Sequence, residues 1–239
     1  MDLRWESLGE GLEIAISPAH KFGTDAFLLA DFSQPRRGET ACDLGTGCGI
    51  IPMLWMRGEY RPAAAYGVEL QPEGAALFRE TVARNGLEGV VLPIQGDLRE
   101  HSQLPPAHSC GLVTCNPPYQ RACHGILSPS ESRRAARHEI TCSLEEVCAA
   151  AARLLKFGGR FCLCQRPERL VDTLEAMRGA GLEPKRLQMV QQRPDKAPWL
   201  FLCEGKKGSR PFLQVLPPLL MEDEAGGFSP QLRRIYHLD

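Results

Sequence analysis

The sequence lacks long apolar runs and a large net charge of either sign. No run of roughly 18 apolar residues occurs among its 239 residues, so we predict neither a membrane-spanning helix nor a membrane partner. Residues 1–14, MDLRWESLGEGLEI, lack the apolar centre of an export signal, which predicts a cytoplasmic protein. The formal net charge of −1 at pH 7 identifies no class of partner.

Cysteine pairs at disulfide or zinc spacing are also missing, although the chain has 10 cysteines. Most lie inside apolar patterns, as Cys42, Cys115 and Cys148 do, so we expect buried free thiols. Cys162 and Cys164 share one face of a strand but have no second pair of ligands nearby in sequence. We therefore predict no metal site. The histidines show no triad partners, which argues against nucleophilic hydrolysis.

Charge is unevenly distributed along the chain. Residues 1–132 carry 10 Lys and Arg against 16 Asp and Glu, residues 133–210 carry 16 against 9, and residues 211–239 carry 2 against 4. A basic segment in a neutral chain is typical of a localised polyanion-binding face. Solvated helix faces would produce the same counts, so charge alone leaves both interpretations open.

Strand and helix patterns alternate through most of the chain. Helical patterns include one that starts at Pro72 and ends before Gly86, and one that opens with Ser143 and Glu146 at capping-box spacing. This alternation predicts an α/β, doubly wound, Rossmann-like fold with helices on both faces of a mostly parallel sheet. Its seven strands would be TACDLG, AAYGVEL, GVVLPIQG, CGLVTC, RFCLCQ, LEPKRLQMVQQ and WLFLCEG.

Three parts are predicted along the chain. Residues 1–34 would form a hairpin and a helix, capped by Thr24 or Asp25, that pack on the catalytic domain. Residues 35–210 would form that domain, and residues 211–239 an acidic C-terminal extension to which the sequence assigns no role. The least regular pieces are residues 120–142 and 221–239.

A glycine-rich turn, DLGTGCG at residues 43–49, follows the first predicted strand of the alternating region and opens a helix. Its glycines allow a tight turn and a close approach to a ligand, although such a pattern alone is weak evidence. Glu69 ends the second strand, where a carboxylate can accept both hydroxyls of a ribose. Asp97 follows the third, where it can contact an adenine amine. With Asp43, these positions predict a nucleotide-type cofactor pocket.

The GxGxG spacing, in place of GxGxxG, and the acid at Asp43 resemble class I S-adenosylmethionine-dependent methyltransferases. The resemblance implies S-adenosyl-L-methionine as the cofactor, with the glycine turn at its amino-acid end.

The heptapeptide TCNPPYQ, residues 114–120, ends the fourth strand, and its two prolines would hold the turn in one shape. The Asn116 carboxamide and the Pro117 carbonyl can accept the two N–H groups of an exocyclic amine or amide. They would direct its lone pair at the cofactor's methyl group. Tyr119 can stack on a planar substrate. No strong base is needed, because the sulfonium leaves readily and positioning supplies most of the acceleration.

NPPY is similar to the motif of N6-adenine methyltransferases and of protein glutamine N5-methyltransferases, and less so to the NPPF of guanine-N2 enzymes. The segments HKFGTDAFLLADF and ARHEITCSLEEVCAAAARLLKFGGRFCLCQRPERL resemble the bacterial valine-tRNA adenine-N6 methyltransferases, which modify the adenine 3′ of the anticodon. This resemblance extends over most of residues 15–204. It implies a tRNA substrate, N6-methyladenosine as product, and base-holding residues Asn116, Pro117, Pro118 and Tyr119. The implied cofactor-binding residues are Thr24, Asp25, Asp43, Gly45, Thr46, Gly47, Gly49, Glu69, Leu70, Asp97, Leu98 and Asn116.

Four cationic candidates follow the NPPY motif and could contact phosphates around a flipped-out base: Arg133, Arg134, Arg137 and His138. The alternative is a solvated basic helix start, with Arg137 or His138 paired to Glu139. Further cations could extend the same face: Lys185, Arg186, Arg193, Lys196, Lys206, Lys207 and Arg210.

The leading interpretation is a monomeric tRNA adenine-N6 methyltransferase. A protein glutamine N5-methyltransferase, or another RNA adenine or guanine amino-methyltransferase, would use the same motifs. A non-catalytic RNA-binding protein would not need an intact glycine turn and NPPY. A DNA-adenine enzyme would need a target-recognition domain, for which 239 residues leave no room.

Overall fold

The computed structural model describes residues 3–58, 61–117 and 142–238. None of the helices in these ranges is both long enough and apolar enough to cross a bilayer. The described strands are β1 Arg4–Gly9, β2 Leu12–Ile16, β3 Thr40–Leu44, β4 Ala64–Glu69, β5 Val91–Gln95, β6 Cys110–Cys115, β7 Leu155–Gln165, β8 Leu182–Gln191, β9 Leu200–Lys207, β10 Gln214–Val215 and β11 Leu219–Leu220. The described helices are α1 Thr24–Ser33, α2 Ile50–Trp55, α3 Pro72–Arg84, α4 Leu144–Leu154, α5 Leu170–Gly179 and α6 Pro230–Tyr236.

A nine-stranded sheet runs through the molecule in the order β10-β8-β9-β7-β6-β3-β4-β5, with β11 also paired to β8. Strands β5, β4, β3, β6 and β7 are parallel, and β9 is antiparallel to both of its neighbours. The predicted seven-stranded, mostly parallel sheet is confirmed. The two short edge strands β10 and β11 come from the C-terminal extension and were not predicted.

Helices cover both faces of the sheet, as the strand–helix alternation predicts. One face packs against α1, α2, α3, the β1–β2 hairpin and α6, and the other against α4 and α5. Because the central strands are parallel, their carboxyl ends meet at one edge. That edge carries Leu44, Glu69, Gln95 and Cys115, which is where ligands bind in such sheets.

The helix starts give mixed results for the predicted caps. The capping box is confirmed: the Glu146 N–H donates to Ser143 Oγ at 3.2 Å, and the Ser143 N–H donates to Glu146 Oε2 at 2.7 Å. The predicted cap of α1 by Thr24 or Asp25 is wrong, because Gly23 is the N-cap and no side chain caps it. Helix α1 therefore begins without an N-cap side chain, although the Asp25 carboxylate accepts the Ala26 N–H at 3.0 Å within the first turn.

The C-terminal extension is more regular than its sequence indicates. Strands β10 and β11 pair in parallel with β8, and α6 buries Leu232 and Ile235 in the core that includes α1. The expected irregularity of residues 221–239 is wrong for α6, Pro230–Tyr236, whereas residues 221–229 form no helix or strand. The division into three parts stays a prediction.

A buried ion network fixes the carboxyl end of α1. Arg160 donates to Ser33 O at 2.8 Å and to Glu39 Oε1 at 2.9 Å. Arg186 donates to Glu204 Oε2 at 2.7 Å and to the carbonyl of Phe32 at 3.0 Å. Cations at the carboxyl end of a helix stabilise it, because the last carbonyls carry partial negative charge. Arg186 is thus engaged in packing, and the idea that it extends a polyanion-binding face finds no support here.

Gly49 precedes α2 with φ +90°, and a Cβ built on it would lie 2.0 Å from Phe78 Cδ2. We predict that Gly49→Ala lowers the free energy of unfolding by about 3 kcal/mol, combining left-handed strain with overpacking. Chemical denaturation would measure this. Gly89→Ala is the matched control, because Gly89 has φ +85° but open space around its Cβ position, and it should cost about 1 kcal/mol. Equal losses in the two variants would contradict the packing argument.

Candidate functional site

Two cavities meet at the carboxyl ends of β3, β4 and β6. The larger, about 490 Å³, reaches toward the strand end that carries Asp97. The smaller, about 250 Å³, extends beneath the segment that leads into α1. Both are lined by Gly45, Glu69, Gln71 and Asn116. They therefore form one continuous cleft, with the glycine turn at its middle.

Most of the sequence-predicted cofactor residues line this cleft. The larger cavity is lined by Gly45, Glu69, Leu70, Asp97, Leu98, Asn116 and Pro117. The smaller cavity is lined by Asp25, Asp43, Gly45, Thr46, Gly47, Glu69 and Asn116. Thr24 and Gly49 line neither cavity: Thr24 accepts a hydrogen bond from Tyr236, and Gly49 faces Phe78. Pro118, Tyr119, Arg133, Arg134, Arg137 and His138 lie outside the described residues.

Glu69 stands where the two cavities join. Its Oε2 accepts the N–H of Gly47 at 2.8 Å, and its Oε1 accepts the N–H of Gln71 at 2.7 Å. Each carboxylate oxygen has a second lone pair, so both can still accept a hydroxyl. The backbone donors hold the carboxylate in one orientation, as recognition of a vicinal diol requires.

Asp97 is engaged by its neighbour Arg99. The guanidinium donates to Asp97 Oδ1 through Nε at 2.9 Å and to Oδ2 through Nη2 at 2.5 Å. These hydrogen bonds lower the pKa of Asp97, which keeps the carboxylate ionised. The pair is partly exposed at the outer end of the larger cavity. Contact between Asp97 and an adenine amine stays a prediction.

Asp43 is buried at the end of β3, with 1% of its surface exposed. Burial raises the pKa of Asp43 to about 7, and the hydrogen bond donated by the Thr114 hydroxyl opposes the rise. That bond is 2.6 Å long and crosses from β6, where Thr114 is directly paired with Asp43 in the sheet. At neutral pH the Asp43 carboxyl is therefore poised between its charged and neutral forms.

Asn116 directly follows β6, and the sheet register fixes its position. Cys115 pairs with Leu163 of β7, which places the next residues, Asn116 and Cys164, side by side. The Cys164 thiol donates to the Asn116 carboxamide oxygen, with 3.1 Å between Sγ and Oδ1. Sequence reasoning missed this contact, because only the pairing of β6 with β7 brings the two residues together.

Other residues of the cleft were also not predicted. His20 lies in the smaller cavity, where its Nε2 lies 3.1 Å from the side-chain oxygen of Gln71. Gln71 lines both cavities. The signal that could have found Gln71 is its place directly after the second predicted strand, next to Glu69 and Leu70.

The described part of the chain contains nine of the 10 cysteines. Its nine cysteines are all free thiols, most of them buried, which confirms the expectation for these nine. Within the described ranges no group of three or more His, Cys, Asp or Glu side chains could hold a metal ion.

The cations predicted to extend a polyanion-binding face do not share one edge of the sheet. Arg193 and Lys196 follow β8 and lie at the edge that carries Asn116, where both are paired with Asp195. Lys206 and Lys207 end the antiparallel β9 and therefore lie at the opposite edge. A single basic face through all seven residues is incompatible with this topology.

Comparisons with known proteins identify relatives of the chain. No family model matches the chain. A protein from Porphyromonas gingivalis named tRNA1(Val) (adenine(37)-N6)-methyltransferase is 28% identical over 232 residues, covering 91% of this chain and 87% of its own. A protein of the same name from Parabacteroides distasonis is 27% identical over 78% of this chain and 76% of its own length. One from Musicola paradisiaca is 35% identical over 61% of this chain and 57% of its own.

Solved structures support the fold. A predicted O-methyltransferase from Agrobacterium tumefaciens superimposes with a TM-score of 0.71 at 21% identity, covering 89% of this chain and 95% of that one. Geranyl diphosphate C-methyltransferase from Streptomyces coelicolor, solved with S-adenosyl-L-homocysteine, gives 0.56 at 14% identity, covering 77% of each chain. The resemblance stated from the sequence is thereby confirmed: the chain has a class I methyltransferase fold, and it is a homologue of bacterial proteins named tRNA1(Val) (adenine(37)-N6)-methyltransferase.

Proposed function

We propose that the protein is an S-adenosyl-L-methionine-dependent methyltransferase that methylates the N6 amine of an adenine in tRNA. The observation that carries this proposal is the position of Asn116. Its side chain lies at the junction of the two cavities, directly after β6, in a chain homologous to enzymes of that name. An oxygen at this point that accepts the N–H of a substrate amine would place that amine beside a methyl donor bound along the cleft.

The residues of the cleft fit the proposed cofactor. The oriented Glu69 carboxylate suits the ribose hydroxyls, and the cavity of about 490 Å³ beyond it suits an adenine base. The smaller cavity would take the amino-acid end, close to Asp25 and Asp43. Gly45 and Gly47 have positive φ, and nothing lies within 4 Å of the position that a Cβ would occupy. The backbone at the junction is therefore open to a ligand.

The reaction needs an acceptor pair more than it needs a base. The N6 lone pair of adenine is delocalised into the ring, so the amine is a weak nucleophile. When bound, the cofactor supplies a methyl group on a positively charged sulfur. The Asn116 Oδ1 and the Pro117 carbonyl would accept the two N–H groups and hold the nitrogen nearer to tetrahedral. The proton can leave to water after transfer, and positioning supplies most of the acceleration.

The substrate assignment rests on the homologues. Their name specifies adenine 37 of a valine tRNA, the base 3′ of the anticodon. Base stacking by Tyr119, turn rigidity from Pro118, and phosphate contacts by Arg133, Arg134, Arg137 and His138 stay predictions. We also expect a monomer that acts in the cytoplasm, where tRNA is modified.

Methyl transfer from labelled S-adenosyl-L-methionine tests the proposal. The substrates are bacterial tRNA transcribed without modifications, the same tRNA with adenine 37 replaced by guanine, and a protein extract. We expect label only in the first, recovered as N6-methyladenosine by mass spectrometry. Label in glutamine of the extract would indicate the glutamine N5 enzyme, whose amide substrate the same two acceptors could hold. Label in both RNAs would indicate another base.

Cys164 offers a sharper test of the geometry at Asn116. Its thiol is a weak donor to the Asn116 oxygen, so Cys164→Ala should lower kcat about five-fold, as expected for one hydrogen bond. The KM for the cofactor should stay unchanged, and Cys164→Ser should restore most of kcat. Cys162→Ala is the matched control: Cys162 lies on the same face of β7, equally buried, and its thiol faces Glu204. Equal kcat losses in both alanine variants would refute a positioning role.

A further inference from the structure

The C-terminal helix α6 lies behind the wall of the smaller cavity, although the proposed reaction assigns it no part. Its Tyr236 ring packs edge-on against Phe27 of α1, with ring centroids 4.9 Å apart. Phe27 in turn contacts Phe22, with centroids 5.9 Å apart, and Phe22 lines the cavity. A row of three aromatic rings therefore connects the extension to the cleft.

A hydrogen bond makes a second connection. The Tyr236 hydroxyl donates to Thr24 Oγ1 at 2.8 Å, joining residues 212 positions apart. Thr24 is the first residue of α1, and the next residue, Asp25, lines the smaller cavity. The bond thus reaches the first turn of α1 from outside the cleft, since neither Thr24 nor Tyr236 lines it.

Helix α6 is itself held firmly. Ser229 caps it by accepting the Leu232 N–H at 3.1 Å, and the same hydroxyl donates to the carbonyl of Leu220 at 2.6 Å. At the other end, Arg57 donates to the Tyr236 carbonyl at 3.1 Å. Arg57 is almost fully buried and lies over the Phe27 ring. Tyr236 is therefore a fixed point against which α1 can be positioned.

The first turn of α1 needs such a point. Its N-cap is Gly23, which forms no side-chain capping bond and has the widest conformational freedom of any residue. Within the turn the Asp25 carboxylate accepts the Ala26 N–H at 3.0 Å, and the Tyr236 hydroxyl ties the same turn to α6 at Thr24. We infer that Tyr236 is a positioning residue for the smaller cavity, where it holds the first turn of α1 in the geometry that binds the amino-acid end of the cofactor. The identity of that ligand rests on the proposed function.

Tyr236→Phe tests this inference, because it removes the hydroxyl and keeps the ring. The full-length wild type and variant are titrated with S-adenosyl-L-homocysteine by calorimetry, and KM values are measured for S-adenosyl-L-methionine and for unmodified tRNA. We expect the dissociation constant and the cofactor KM to rise about five-fold. The tRNA KM and the kcat at saturation should stay within about two-fold. Arg234→Ala is the control, since Arg234 lies on the same helix and pairs with Asp31 at the surface.

The partner residue completes the test. Thr24→Val should weaken binding as much as Tyr236→Phe, and the double variant should be no weaker than either single one, because both remove the same bond. Wild-type affinity in Tyr236→Phe would overturn the inference. So would a lowered melting temperature accompanied by unchanged binding, which would show a purely structural contact. A wild-type protein that binds neither S-adenosyl-L-homocysteine nor S-adenosyl-L-methionine would overturn the proposed function, and the inference with it.

Discussion

Asn116→Ala is expected to lower kcat for methyl transfer about a thousand-fold, the scale seen when one preorganised polar group is removed from a reaction centre. In the proposed arrangement, alanine would leave the substrate nitrogen with only the Pro117 carbonyl as acceptor, so its lone pair would stay in the ring. Cofactor affinity should change by less than about three-fold, because Glu69 and the glycine turn are untouched. Single-turnover kinetics with labelled cofactor and calorimetry measure the two effects separately.

Two further asparagine variants make this result specific. Asn116→Asp keeps an acceptor oxygen and should retain more activity than Asn116→Ala. Asn85→Ala removes a structural asparagine whose Nδ2 donates to the Glu13 carbonyl at 2.7 Å, and it should affect stability without affecting kcat. A thousand-fold loss in Asn85→Ala, or unchanged turnover in Asn116→Ala, would contradict the assigned role.

Asp43→Asn is expected to stabilise the free protein at pH 8 by about 4 kcal/mol, since each pKa unit corresponds to about 1.4 kcal/mol. Burial raises the pKa of Asp43 to about 7 in the folded state, whereas the pKa of an unfolded aspartate is about 3.9. Between these values the folded state binds more protons than the unfolded state. Stability due to Asp43 therefore falls as pH rises from about 4 to 7 and stays low above that range.

Urea denaturation of wild type and variant at pH 4, 6 and 8 measures this dependence. The difference in unfolding free energy between them should be near zero at pH 4 and largest at pH 8. Asp97→Asn is the matched control, because hydrogen bonds from Arg99 lower the pKa of Asp97. Removing the Asp97 carboxylate should therefore destabilise the protein at pH 8. The more stable Asp43→Asn protein should nevertheless bind the cofactor more weakly, since a residue kept at such cost is typical of a functional site. A constant difference across the pH range would refute the shifted pKa.

Local sequence patterns predicted the structure correctly where a short segment determines its own conformation. The alternation of β3 to β9 with the intervening helices identified the parallel sheet. That sheet implied a site at the carboxyl ends of the strands, where Asp43, Glu69 and Asn116 now line one cleft. Each lies within one residue of a strand end, so the strand boundary alone fixes its place.

Contacts between distant parts of the chain could not be predicted from local sequence patterns. Gly49 resembles a ligand-facing glycine in sequence, yet Phe78, 29 positions later, is what occupies the space beside it. Cys164 meets Asn116 because of strand register, and Tyr236 reaches Thr24 across 212 positions. The basic residues after position 184 look continuous in sequence, but β9 is antiparallel and carries Lys206 and Lys207 to the far edge.

The sequence by itself determined the class of fold, the glycine turn and the residues at the strand ends, because hydrophobic periodicity, glycine spacing and proline act within a few residues of where they occur. Only the tertiary structure decided which distant side chains contact the residues around the cleft, how Asp43 titrates, and which edge each cation occupies. Those properties depend on burial and on the pairing of distant strands and helices, and no local pattern records them.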